Sequence, residues 1–140
     1  MRFYVISPEV AGGLGPNTIL ATQGHPPVIT RLHYLFDGWL GDELLGSFPC
    51  FVVTDRLGKE LRRLPLTGFE LKPVEISASE LFRELYPDRT LPEFSWLDVN
   101  GAAGVDYFGI DRQCRLVVSQ DALSVLMQIP LGQCDISTYQ

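Results

Sequence analysis

Apolar and polar residues alternate with two different periods along this chain, and the changes of period mark the predicted elements. Residues 2–6 have the β-branched and aromatic content of a strand, which Pro8 ends. The apolar run 51–53 is followed by Thr54, a good helix cap, and then by leucines at helical spacing, Leu57, Leu61 and Leu64. This pattern predicts a buried strand that leads directly into an amphipathic helix.

The same pattern recurs near the end of the chain. Residues 105–110 and 114–118 predict an antiparallel pair of strands joined by a turn at 111–113. Ser119 then caps a predicted helix whose apolar positions are Leu123, Leu126 and Met127. The chain therefore contains two strand-to-helix units of similar composition.

The remaining segments predict shorter elements. Residues 28–34 and 93–99 predict strands, and residues 69–76 predict an extended segment at a sheet edge, because Pro73 cannot donate a ladder hydrogen bond. Ser77 and Glu80 predict a capping box for a short helix, which Pro87 ends. The glycine-rich stretch 11–17 predicts a flexible connection, and the tail 134–140 predicts an edge strand or a frayed end.

These elements predict one α+β domain over residues 1–140, with a mainly antiparallel mixed sheet of about five to seven strands, two longer helices and one short helix. A composition of 46 % apolar and 20 % charged residues is ordinary for a folded domain. The three cysteines, Cys50, Cys114 and Cys134, lack a CxxC pair, so we expect reduced thiols rather than disulfides or a zinc site.

The stretch 33–50 combines acids, glycines and aromatic residues in a way that no regular helix or strand explains. We interpret it as a shaped, acidic and aromatic surface segment that binds a partner. Trp96 and Asp98 lie on one face of a predicted strand, with Phe94 on the same face. The candidate partner-binding residues are Asp37, Trp39, Asp42, Glu43, Trp96, Asp98, Asp106 and Tyr107. The alternative is that the tryptophans are core residues and that Asp37 bonds backbone amides of its own turn.

Charge narrows the class of partner. A net charge of −6 and a pI near 4.8 disfavour nucleic acid and anionic membranes and favour a basic protein. The apolar run of four residues before Ser7 is too short for a signal peptide or a membrane span, so we expect a cytoplasmic protein.

No motif for catalysis, metal binding or a cofactor is found in the sequence, so we expect no catalytic residue, no metal and no cofactor. His25 and His33 lack a neighbouring ligand or base partner, which favours a structural role. One alternative is a small enzyme that uses the acids of residues 37–43 with Asp98 or Asp106. Another is a structural subunit of a homo-oligomer.

Four segments carry a resemblance that spans nearly the whole chain: LHYLFDGWLGDELL, FPCFVVTDRL, FSWLDVNGAAGVDYFGI and RLVVSQDALSVL. In texture and order they resemble immunity proteins of bacterial polymorphic toxin systems, related to the Myxococcus-type immunity domain, formerly a domain of unknown function. The resemblance implies a protein that binds a cognate toxin, often a nuclease or another enzyme, and blocks it stoichiometrically in the cytoplasm. It implies no catalytic residue, and it offers Asp37, Trp39, Trp96, Asp98 and Asp106 as binding or scaffold positions only.

Overall fold

A computed structural model of the protein describes residues 2–21, 28–129 and 131–140. Within these ranges the chain forms thirteen strands and three helices, an α+β arrangement that confirms the predicted fold class. The helices are α1 (Asp55–Arg62), α2 (Glu80–Leu85) and α3 (Gln120–Leu126). The strands are β1 (Phe3–Ser7), β2 (Gly12–Leu14), β3 (Ile19–Ala21), β4 (Val28–Arg31), β5 (His33–Phe36), β6 (Leu44–Ser47), β7 (Cys50–Thr54), β8 (Phe69–Lys72), β9 (Glu75–Ala78), β10 (Phe94–Val99), β11 (Phe108–Ile110), β12 (Leu116–Ser119) and β13 (Asp135–Thr138).

The described strands form four sheets rather than the one sheet of five to seven strands that we predicted. Their orders are β11-β12-β1-β13, β6-β7-β10-β8, β2-β5-β9 and β3-β4. All described pairs are antiparallel except β5 with β9, so the predicted mainly antiparallel character is confirmed. The single-sheet prediction was wrong because the side-chain pattern locates strands without saying which strands pair.

The sheet β6-β7-β10-β8 lies between two hydrophobic cores. In β7, Phe51 and Val53 join one core, whereas Val52 joins the other. Likewise in β10, Leu97 faces the first core and Trp96 faces the second. Because successive strand residues point to opposite faces, this central sheet is covered on both sides. One core packs against the sheet β11-β12-β1-β13 with α1 and α3, and the other against β2-β5-β9 with α2.

Both predicted strand-to-helix units are confirmed. The Thr54 hydroxyl accepts from the Leu57 amide at 3.2 Å at the start of α1, and the Ser119 hydroxyl accepts from the Ala122 amide at 3.1 Å at the start of α3. The cap of the short helix was predicted two residues too early. Ser79, not Ser77, accepts from the Phe82 amide, because Ser77 still belongs to β9.

Three other expectations about the chain path have clear outcomes. Pro73 separates two edge strands, β8 and β9, and β13 is an edge strand, as predicted. The predicted strand 28–34 is instead divided at Leu32 into β4 and β5, which belong to different sheets. The glycine-rich stretch is partly ordered, since β2 pairs with β5. A Cβ on Gly12 would overlap the Leu35 carbonyl oxygen, so glycine permits this close approach.

Candidate partner-binding cleft

The turn between β5 and β6, residues 37–43, contains four of the predicted partner-binding residues. It is fastened to the chain that precedes β2. The buried Glu9 carboxylate accepts from the Leu40 amide at 2.6 Å and from the Asp42 amide at 3.2 Å. The Ala11 carbonyl accepts from the amides of residues 37 and 38 at 2.9 and 3.1 Å. We call residues 37–43, with Glu9, the Trp39 turn.

Trp39 is a core residue, with 9 % of its surface exposed. Its ring contacts Phe36 and Phe94 edge to face, with centroid distances of 6.4 and 5.9 Å. Its Nε1 donates to the Asp42 carbonyl at 2.8 Å. The Arg89 guanidinium lies 4.6 Å from the ring centroid and donates to the Trp39 carbonyl at 2.7 Å. An exposed Trp39 anchor was therefore a wrong expectation, and the alternative of a core tryptophan is confirmed.

The acids of the Trp39 turn also have structural partners. The buried Asp42 carboxylate accepts from the Gln133 amide at 2.9 Å. The Glu43 carboxylate accepts from the Thr54 hydroxyl at 2.6 Å and pairs with Arg56. Burial raises the pKa of Glu43, but the bonds from Arg56 and Thr54 outweigh burial and hold that pKa below its ordinary value.

Of the four predicted residues in this turn, Asp37 alone is exposed. The turn is thus folded inward, and our interpretation of 33–50 as a surface segment was wrong for most of its length. Acids in turns accept backbone hydrogen bonds as readily as they face solvent, and composition does not separate these two uses.

A cleft of about 320 Å³ lies beside the central sheet and is lined by residues of β7, β8 and β10. Two predicted residues, Trp96 and Asp98, meet there with Lys72, which sequence reasoning did not select. Cys50 and Cys114 also line it, together with the apolar residues Val28 and Ile29. We call it the Trp96 cleft.

The charged groups of the Trp96 cleft bond to each other. The Lys72 ammonium lies 2.6 Å from the Asp98 carboxylate, 3.7 Å from that of Glu70 and 5.2 Å from the Trp96 ring centroid. The hydrogen bond and charge of Asp98 raise the pKa of Lys72, so it stays protonated at neutral pH. Trp96 itself is 6 % exposed, so it forms a wall of the cleft rather than a projecting anchor.

The Cys50 thiol of the cleft is not prepared for nucleophilic chemistry. Burial raises the pKa of Cys50 to about 12, and the Asp98 carboxylate adds to the effect. The thiolate is the reactive form of cysteine, and its population at neutral pH is then negligible. All three cysteines are free, as we expected from their spacing.

A second depression, of about 210 Å³, shares walls with the Trp96 cleft at Pro49, Cys50, Phe51 and Cys114. The turn between β6 and β7 therefore borders both. Phe48 in this turn is 60 % exposed, which is unusual for a phenylalanine. Phe48 lies in the stretch 33–50 but is not among the predicted binding residues, since an aromatic residue beside a proline gives no sign of its exposure.

Asp106 and Tyr107 lie outside the cleft and support the chain locally. The Asp106 carboxylate accepts from the Ala102 amide at 2.7 Å and closes the turn 102–106. Tyr107 is half-buried against the first core, and its carbonyl accepts from the Ser119 amide at 2.9 Å. The structure thus brings Trp96 and Asp98 together in the Trp96 cleft and keeps Asp37, Trp39, Asp42 and Glu43 together in the Trp39 turn, with Asp106 and Tyr107 outside the cleft.

His33 has a serine partner that sequence reasoning missed, and their geometry opposes catalysis. Its Nδ1 accepts from the Asn17 amide at 3.2 Å, which assigns the ring proton to Nε2. Nε2 therefore donates to the Ser77 hydroxyl and has no lone pair with which to take that serine's proton. His33 is buried, in line with a structural role, whereas His25 lies outside the described residues.

Two features are absent from the part of the chain that the structure describes. Across 2–21, 28–129 and 131–140, no group of three or more histidine, cysteine, aspartate or glutamate residues is arranged to hold a metal ion. In the same ranges, no helix has the length and apolarity needed to cross a membrane.

A scan against protein-family models and a search of curated proteins found no match to this chain.

Proposed function

We propose that this protein binds a cognate bacterial toxin and neutralises it by stoichiometric inhibition, as an immunity protein does. The observation that supports the proposal is the exposed Phe48 turn between two depressions, one of which is the Trp96 cleft. Aromatic residues, phenylalanine included, are enriched in protein interfaces, where a few anchors carry most of the binding energy. The resemblance of the four sequence segments to immunity proteins points in the same direction.

The chemistry of the partner follows from charge. With a net charge of −6, the protein attracts a basic surface, such as the substrate groove of a nuclease. An interface of ordinary size takes about 800 Å² per partner. That is about a tenth of the 7898 Å² accessible surface, so the contact extends beyond the Phe48 turn and the Trp96 cleft. Inhibition then results from covering the toxin's groove.

The alternative of a small enzyme gains no support from the positions of its proposed acids. Asp42 accepts a backbone amide, Glu43 pairs with Arg56 and Thr54, and Asp98 pairs with Lys72 in a separate cleft. A pair of catalytic carboxylates would have to converge on one substrate. The function that we propose is therefore toxin binding alone.

The test is co-expression with the product of the adjacent reading frame, with bacterial growth and complex formation measured together. We expect the wild-type protein to restore growth and to form a one-to-one complex. Phe48→Ala should weaken the complex by about 30-fold, the size of a hot-spot loss. The matched control is Leu85→Ala, since Leu85 on α2 is 57 % exposed but lines neither depression.

Two results would contradict this account. A neighbouring protein that is neither toxic nor bound by the chain would remove the immunity proposal. A complex that Leu85→Ala weakens and Phe48→Ala leaves intact would keep the immunity role but move the interface to α2.

Charge reversal at the exposed Asp37 tests whether the stretch 33–50 contacts the partner, without disturbing the fold. Charge reversals at Asp42 or Glu43 would instead break structural bonds.

A further inference from the structure

We propose that the Trp96 cleft is a receptor for one lysine or arginine side chain of the partner, and that Lys72 occupies this receptor in the free protein. This inference rests on the proposed function for the identity of the partner. The cation-binding chemistry of the cleft can be tested without any partner.

The cleft already holds an organic cation. The Lys72 ammonium is surrounded by the Trp96 ring at 5.2 Å, the Asp98 carboxylate at 2.6 Å and the Glu70 carboxylate at 3.7 Å. An aromatic face with carboxylates beside it is the usual environment of a bound ammonium or guanidinium group. Two carboxylates against one ammonium leave an excess of negative charge, so this position favours a cation over an anion or a neutral group.

Lys72 is held weakly enough to be displaced. It lies at the end of the edge strand β8, and its side chain is 41 % exposed, against 29 % for that of Asp98. Ion pairs with this degree of exposure contribute little to stability, because water and salt screen them. The ammonium can therefore move into solvent while the carboxylates stay on their strands.

The walls of the cleft suit the stem of a long basic side chain. They include two apolar residues of β4, Val28 and Ile29, beside the charged groups. Lysine and arginine bury their methylene stems along such surfaces while the charged group remains in a polar environment. A volume of about 320 Å³ is ample for a butylammonium ion, which reproduces the lysine side chain. The cleft thus matches an apolar stem that ends in a cation.

The experiment is an NMR titration of the protein, ¹⁵N-labelled at tryptophan, with n-butylammonium chloride at constant ionic strength. Lys72→Met removes the resident cation but keeps an apolar stem. We expect a saturable shift of the Trp96 indole signal, with binding to Lys72→Met about tenfold tighter than to wild type, since one ion pair and one cation–π contact no longer compete. Trp39 is the internal control, because its Nε1 is bonded to the Asp42 carbonyl.

A second variant identifies the carboxylate that binds the cation. Asp98→Asn in the Lys72→Met background should abolish the saturable shift at Trp96, while an unchanged Trp39 signal shows that the fold is intact. The inference is overturned if Lys72→Met gives no saturable shift. It is also overturned if Trp39 and Trp96 shift together, or if Asp98→Asn has no effect.

The failure of this inference is distinguishable from failure of the proposed function. If butylammonium binds saturably but the co-expression test finds no toxin that the protein binds, the cation receptor is established and the immunity role is removed. A toxin complex whose affinity is the same for wild type and Asp98→Asn would keep the immunity role and overturn the assignment of the cleft to a basic side chain of that toxin.

Discussion

Each of the two tryptophans of this protein has a cation above its ring, and the two sites differ in what else the charged groups bond. Arg89 lies 4.6 Å from the Trp39 centroid and also donates to the Trp39 carbonyl at 2.7 Å. Lys72 lies 5.2 Å from the Trp96 centroid and bonds carboxylate side chains. A cation above a tryptophan ring thus fastens the backbone at one site and forms an exchangeable ion pair at the other.

The difference predicts which site contributes to stability and which is available for binding. In the Trp39 turn, removal of the Glu9 or Asp42 carboxylate leaves backbone amides without their acceptor, which costs free energy. In the Trp96 cleft, removal of an acid leaves an ammonium that solvent can reach. We therefore expect loss of the bonded acids Glu9, Asp42 and Glu43 to destabilise the fold, and loss of Asp98 in the cleft to change ligand binding with little effect on stability.

The largest expected effect is that of Glu9→Ala. The Leu40 and Asp42 amides lose their shared acceptor, and the free energy of unfolding should fall by about 3 kcal/mol, because these bonds are made to a buried charged group. Asp98→Ala, the matched loss of a carboxylate in the cleft, should cost less than about 1 kcal/mol. Urea unfolding followed by circular dichroism measures both. Equal losses at the two sites would contradict the comparison.

Glu43→Gln should produce the next largest effect, with a defined pH dependence. The folded pKa of Glu43 lies below its ordinary value of 4.5, so its charge stabilises the fold above that pH and ceases to do so as the pH falls through the folded pKa. At pH 7 we expect Glu43→Gln to be about 1.5 kcal/mol less stable than wild type, from the charged bond to Thr54. The gap should close in acid. A gap that stays constant from pH 7 to pH 3 would show that the charge of Glu43 does not contribute.

Substitution of the two cations gives a smaller effect. Arg89→Met removes the bond to the Trp39 carbonyl and should lower the free energy of unfolding by about 1 kcal/mol. Lys72→Met should change it by less than about 0.5 kcal/mol, because the pair it breaks is exposed. Each variant replaces the cation at a tryptophan ring by methionine, so each is the control for the other in the same urea measurement. A greater loss for Lys72→Met would identify the cleft as the structural site.

The strand-to-helix units and the hairpin near the end could be predicted because their signals are local. An apolar run followed by Thr54 or Ser119 predicts both the strand and the start of the helix within a few residues. The division of the strands into four sheets could not be predicted in this way. The break at Leu32, for example, has no glycine or proline within residues 28–36 to mark it, yet the chain passes there from one sheet to another.

The candidate site was predictable only in part, for a related reason. Trp96 and Asp98 were selected together because strand alternation places them on one face. Lys72 comes from a strand far away in sequence, and only the register of β8 against β10 places it opposite Trp96. The inward folding of the Trp39 turn likewise depends on Glu9, which is 31 residues away from Leu40. Long-range hydrogen bonds of this kind leave no local sequence pattern.

The smallest expected effect concerns the reactivity of Cys50, which reports the charge of the Trp96 cleft. Burial raises its pKa to about 12, with a further contribution from Asp98. Asp98→Asn should therefore lower that pKa and increase the alkylation rate of native Cys50 at fixed pH, by less than about tenfold, the change for one full pKa unit.

Cys134 supplies the control within the same molecule. Its pKa is raised to about 11 by burial and by the charges of Asp42 and Asp135, and not by Asp98. Mass spectrometry of the native protein after reaction with iodoacetamide would measure both thiols in one sample. Faster reaction at Cys50 alone shows that removal of the charge acts within the cleft, whereas faster reaction at both thiols shows that Asp98→Asn loosens the fold. The second result would make Asp98 a structural residue like Glu9 and would remove the distinction between the two tryptophan sites.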